Sequence, residues 1–123
     1  MSQRSKFFLL TLLLLCSVIG FMVRLPRLFH HFDKELHFMF YFCSSLVLLL
    51  MFPKRWVYSV LFLLFFGIGI EYAQEFSNKI SIRLIGKAIH GRFDIVDVKY
   101  NVLGLTIGWL MFHFYLFIRK QFN

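Results

Sequence analysis

IVDVKYNVLGLTIGWLMFHFYLFI, residues 95–118, is the longest of four apolar stretches in this chain. The others are residues 7–23, 36–52 and 57–76. A helix needs about 20 apolar residues to cross roughly 30 Å of hydrocarbon, and a helix satisfies its own backbone groups inside lipid. The sequence therefore predicts an all-α membrane protein with four transmembrane helices in one bundle, forming a single domain over residues 1–123.

The composition supports a membrane protein and argues against other classes. The chain is 59% hydrophobic with 18 Phe and 2 Pro, whereas a soluble domain is about half apolar. The net charge of +8 does not indicate nucleic-acid binding, because the cations divide between two membrane faces and no known nucleic-acid module is present. The first apolar stretch exceeds the roughly 7 to 15 apolar residues of a signal peptide, which favours a retained helix.

Four crossings place every carboxylate on one side of the membrane, which we call the motif face. The opposite side, the termini face, carries both chain ends and the turn at residues 53–56. Lys and Arg are nearly equal in number on the two faces, so they do not fix the orientation. Arg4 and Lys6 flank the first helix, which favours cytoplasmic termini. The carboxylates are those of Asp33, Glu35, Glu71, Glu75, Asp94 and Asp97.

The connection between helices three and four has its own pattern. Over residues 79–90, Lys79, Arg83 and Lys87 recur every four residues, with apolar residues between them. Such an amphipathic pattern is typical of a helix that lies in the membrane interface with its cations near lipid phosphates. The sequence therefore predicts an interfacial helix over residues 79–90, and a solvated basic loop is the alternative.

Polar residues on helices two, three and four form one stripe per helix, because they recur at steps of three or four. If the three stripes point inward, they meet at the motif face. Glu35 lies off its stripe. The pair Gly104 and Gly108 predicts close helix packing. The stripes are Asp33, His37, Tyr41 and Ser44 on helix two, Gly67, Glu71, Gln74 and Glu75 on helix three, and Asp94, Asp97, Asn101, Gly104 and Gly108 on helix four.

These motifs resemble the VanZ-like family. The resemblance covers most of the chain, from Asp33 to Gly108, and Lys99 departs from the expected small or apolar residue. It implies a small multi-pass protein of the bacterial cytoplasmic membrane, in a family whose namesake is associated with teicoplanin resistance and whose biochemical activity is not settled. The matching positions are Asp33-Lys34, His37-Phe38, Tyr41-Phe42, Glu71, Gln74, Gly91-Arg92, Asp94, Asp97, Asn101, Gly104 and Gly108.

The favoured function is binding without catalysis, as an accessory factor of the cell envelope linked to glycopeptide resistance. Lys34 and Arg92 would hold the phosphate of an anionic lipid or lipid-linked glycan, while the carboxylates take sugar hydroxyls or a bridging cation. No cofactor is expected. The candidate ligand-binding residues are Asp33, Lys34, His37, Tyr41, Glu71, Gln74, Glu75, Arg92, Asp94, Asp97 and Asn101.

Two alternatives stay open. In the first, His37, Glu71, Glu75 and Asp97 hold a divalent metal in an enzyme that acts on lipid phosphates, although no known metalloenzyme signature is present. In the second, the polar residues neutralise one another and serve only helix packing, in a structural subunit that binds another membrane protein.

Overall fold

The computed structural model describes residues 2–22, 32–89 and 93–122. Four of its helical segments are long and apolar enough to cross a membrane, which confirms the predicted fold class. Helix α1 continues into a π-helical segment, Val18–Met22, and a short 3-10 turn, Pro53–Arg55, precedes α3. The four α-helices are α1, Gln3–Ser17; α2, Asp33–Met51; α3, Trp56–Ile85; and α4, Ile95–Phe122.

The predicted interfacial helix over residues 79–90 is wrong, because α3 runs without a break to Ile85. The polar residues after residue 76 do not interrupt it. Glu75 and Lys79 form an ion pair of 2.9 Å across the predicted break, at a spacing that supports a helix. The helix ends at Gly86, whose left-handed φ of 69° lets its N–H bond to the Ile82 carbonyl oxygen.

Helices α2 and α4 form the centre of the bundle, and glycine allows their backbones to approach closely. A Cβ atom at Gly104 would collide with the carbonyl oxygen of Phe38. A Cβ atom at Gly108 would collide with the hydroxyl of Ser45. The small-residue pattern predicted from the sequence is therefore the contact surface of α4 against α2.

Helix α1 lies at the edge of the bundle. Within it only Ser17 is buried, and most of its apolar side chains face outward, as a lipid environment permits. The π-helical segment makes the closer contact, because the ring of Phe21 is buried and packs edge-on against Phe40 with their centroids 5.1 Å apart. This segment brings α1 up to the start of α2.

Candidate functional site

The fold brings together one set of buried polar side chains, which we call the polar cluster. It lies where the start of α2 and the start of α4 meet α3 near the motif face. Each of its members was predicted from helical spacing. All are buried except Asp33, which is half-buried, and the members are Asp33, His37, Tyr41, Glu71, Asp97 and Asn101.

His37 lies at the centre of the cluster and has two different nitrogen environments. Its Nδ1 atom lies 2.9 Å from Oδ1 of Asn101. An amide oxygen only accepts hydrogen bonds, so this bond requires Nδ1 to donate. The other nitrogen, Nε2, faces Oδ2 of Asp97 at 4.0 Å. The ring of Phe21 packs against the imidazole, with 4.4 Å between the ring centroids.

Glu71 supplies a fully buried carboxylate from α3. Its Oε2 atom accepts a hydrogen bond of 3.4 Å from the backbone N–H of Asp94. Asp94 itself acts as a helix cap, because its Oδ1 atom accepts the N–H of Val96 at 2.7 Å at the start of α4. Asp94 therefore caps the first turn of α4 with one carboxylate oxygen, and its backbone N–H holds that turn against Glu71.

Gly67 lets α3 approach Tyr41 and Asn101. A Cβ atom at this position would lie 2.9 Å from the Tyr41 hydroxyl oxygen and 3.2 Å from Nδ2 of Asn101. Both distances are tighter than ordinary packing, so a larger residue would displace the side chains that line the cluster.

Three oxygen atoms in the cluster are buried and have no hydrogen-bond partner within the described part of the chain. They are the Tyr41 hydroxyl, Oε1 of Glu71 and Oδ1 of Asp97. Burying a polar atom inside a membrane without a hydrogen-bond partner costs roughly several kcal/mol of folding free energy, so native structures contain few such atoms. All three atoms belong to the polar cluster, and the described residues supply no hydrogen-bond partner for them.

Within the polar cluster, three side chains from α2 and α4 can reach a common metal ion. One ligand atom each from Asp33, His37 and Asp97 lies within 4.8 Å of the other two. Carboxylate and imidazole donors together suit divalent ions such as Mn²⁺ or Zn²⁺. The hydrogen bond to Asn101 leaves the lone pair of His37 on Nε2, the nitrogen that faces Asp97, as in many metal sites with an oriented histidine.

Other predicted residues lie outside the polar cluster. Gln74 donates a hydrogen bond of 2.6 Å to the Phe21 carbonyl oxygen, which ties α3 to the π-helical segment. Glu75 pairs with Lys79. Of the four metal ligands predicted from the sequence, His37 and Asp97 belong to the group that could hold an ion, Glu71 and Glu75 do not, and Asp33 joins it. Lys34 is exposed but within electrostatic range of Asp97. Arg92, a predicted phosphate ligand, lies outside the described residues.

Three buried residues were not among those predicted from the sequence. Asn78 and Ser81 are buried on α3, and Phe21 covers His37. The signal for the first two was present, because they continue the series from Glu71 and Gln74 at steps of four and three. Hydropathy, however, predicts that the third helix ends at residue 76, before either of these two residues.

No family model matches the chain, and neither a curated protein nor a solved structure matches it. The resemblance to the VanZ-like family stays a prediction.

Proposed function

We propose that this membrane protein holds a divalent cation between Asp33, His37 and Asp97, and uses that cation to bind the phosphate of an anionic lipid or lipid-linked glycan. The observation that carries the proposal is the 4.0 Å gap between Nε2 of His37 and Oδ2 of Asp97. The gap is too long for a hydrogen bond. Two metal bonds of about 2.1 to 2.4 Å each can span it.

The charge of the polar cluster explains why a cation is required. The cluster contains three carboxylates, those of Asp33, Glu71 and Asp97. Among the described residues, the exposed side chain of Lys34 attracts the carboxylate of Asp97 electrostatically. A phosphate approaching this set alone would be repelled. A divalent ion with three protein ligands keeps positions open for phosphate oxygens, and Lys34 adds a second positive charge near headgroup depth.

This activity is binding without chemistry, and it fits an accessory factor of the bacterial cell envelope. If the VanZ-like resemblance holds, the bound lipid would be a cell-wall precursor or a phospholipid whose availability affects glycopeptide resistance. The sequence-based expectation requires no cofactor and places the phosphate on Lys34 and Arg92. In the present proposal a divalent cation is required, and it holds the phosphate together with Lys34.

A metal and lipid measurement on one preparation tests the proposal. Protein purified in detergent without chelator should contain about one divalent ion per chain when Mg²⁺, Ca²⁺, Mn²⁺ and Zn²⁺ are offered in turn and counted by elemental analysis. Phosphatidylglycerol added in micelles should bind in the presence of the preferred ion, and chelator should abolish the binding at this site. If no ion binds stoichiometrically, His37 and Asp97 form an ion pair that serves only packing, and the proposal fails.

A second candidate is a metal-dependent phosphatase of lipid pyrophosphates, and Glu71 is the observation that favours it. Its carboxylate interacts electrostatically with that of Asp97, and its Oε1 atom has no hydrogen-bond partner among the described residues. Asp33, His37 and Asp97 would hold the cation, which would supply charge stabilisation for the terminal phosphate. Glu71 would take the proton of the water that attacks the terminal phosphorus, the P–O bond to the lipid phosphate would break, and the lipid phosphate would leave.

Glu71→Gln separates this candidate from simple binding. The variant should lose roughly 10² to 10⁴-fold in the rate of inorganic phosphate release from a lipid pyrophosphate, the usual effect of removing a general base. Its metal content should stay at one ion per chain, because Glu71 is not among the three grouped ligands. Wild-type protein that binds the ion and releases no phosphate would exclude the enzyme and leave the binding function in place.

A further inference from the structure

A cavity of about 360 Å³ lies between α1, α2 and α3, in the half of the bundle towards the termini face. Its volume falls at the lower end of the roughly 300 to 1,000 Å³ typical of ligand sites. Along α2 it extends from Phe40 to Phe52, which is about 18 Å of helix. That length slightly exceeds half of the roughly 30 Å hydrocarbon core, so the cavity is as deep as one leaflet.

The walls of the cavity are almost entirely apolar. Leu10 and Leu13 of α1 face Leu48 of α2 and Leu63 of α3 across it. Tyr58 of α3 lines the cavity and is highly exposed, so the cavity opens to the outside of the bundle beside α3. An apolar space of this depth with an opening at the bundle surface suits one acyl chain.

The end of the cavity at the termini face is positively charged. Arg55 lines it directly, and Lys54 is the preceding residue of the same turn. Lys6 of α1 places its Nζ atom 4.9 Å from the ring centre of Phe52, which also lines the cavity. The Asp and Glu side chains belong to the motif face by the order of the crossings, and in the described part of the chain none of them forms an ion pair with these cations.

We infer that this cavity holds one acyl chain of an anionic phospholipid from the leaflet at the termini face, with the lipid phosphate at Arg55. The occupant follows from charge complementarity: the apolar part accepts the chain, and cations from two elements converge where the headgroup would lie. This lipid differs from the ligand of the polar cluster, because it lies in the opposite half of the membrane and needs no divalent ion.

Competition between lipids tests the inference. Protein equilibrated with equal amounts of phosphatidylglycerol and phosphatidylcholine, in the presence of chelator, should retain about one phosphatidylglycerol per chain, measured by native mass spectrometry. Arg55→Gln should lower the preference for phosphatidylglycerol about fivefold, the effect of one cation near a phosphate. Arg119→Gln, which removes a charge from the last turn of α4 at the same face, should leave the preference unchanged.

A steric variant makes an independent test of the same cavity. Leu13→Trp should fill the space and release the lipid, whereas Leu12→Trp, on the exposed side of α1 and outside the lining, should retain it. Equal retention of both lipids by the wild type would overturn the inference, as would equal behaviour of each variant and its control. A change in oligomeric state with Leu13→Trp and no change in lipid content would show instead that a second copy fills the cavity.

Lipid binding in the cavity does not depend on the proposed cation site in the polar cluster. The cavity lipid should survive chelator, and it should survive His37→Ala, because His37 lies outside the cavity. Loss of this lipid in His37→Ala would contradict the assignment of two distinct sites.

Discussion

Gly104→Ala is expected to destabilise the protein by about 1 to 3 kcal/mol, although it adds a single methyl group. The new Cβ atom would overlap the carbonyl oxygen of Phe38 and lie 3.0 Å from the backbone nitrogen of Phe42. Both obstacles are backbone atoms of α2, so no side-chain rotation relieves the clash. The two central helices would have to separate, and the contacts on either side of Gly104 would weaken with them.

Gly69→Ala is the matched control, because Gly69 lies on α3 and an added Cβ would meet nothing within 4 Å. This change should leave stability unchanged or raise it by up to about 1 kcal/mol, since alanine favours a helix over glycine. Thermal unfolding in one detergent measures both variants. If Gly104→Ala unfolds at the same temperature as Gly69→Ala, the close contact of α2 with α4 described above is incorrect.

The sequence alone predicted the four helices because lipid leaves the chain few alternatives. A long and mainly apolar stretch must satisfy its backbone within itself, so residues 36–52 and 95–118 are expected to be helices, although the second stretch carries Asp97 and Lys99 in its first turns. The helix ends were less certain. Hydropathy falls after residue 76, yet α3 continues to Ile85, because buried Asn78 and Ser81 pack inside the protein and only Gly86 stops the helix.

Helical geometry also explains which of the predicted residues the structure brings together. Helical spacing brought together His37, Glu71 and Asp97, which the structure buries in one cluster. Spacing alone could not separate Glu71 from Glu75. At about 100° per residue, Glu75 is rotated by about 40° from Glu71, and Asn78 by only about 20°. Asn78 therefore continues the buried line, while Glu75 turns outward to Lys79.

Asp97→Asn is expected to reduce affinity for the divalent cation by more than about 100-fold. Changes to residues that only orient a metal ligand already cost about 10- to 100-fold, and Asp97 is proposed as a ligand itself. Asn101→Ala should fall within that smaller range, because it removes the acceptor that orients His37. Glu75→Gln is the control: it removes a carboxylate from the same face, but one that pairs with Lys79, and affinity should not change. Isothermal titration measures all three variants.

Stability without metal separates a cation site from a packing network. If His37 and Asp97 were a structural ion pair, with the imidazole protonated, Asp97→Asn would break it and cost about 3 to 5 kcal/mol whether or not a metal ion is present. In a cation site the metal-free variant is at least as stable as the wild type, because one of three crowded carboxylates has lost its charge. The wild type should then gain about 2.7 kcal/mol when the ion is added at 100 times its Kd, and Asp97→Asn should gain nothing at that concentration. Unfolding curves with and without chelator therefore decide between the two, since a packing network predicts a large loss for the variant and no response of the wild type to the ion.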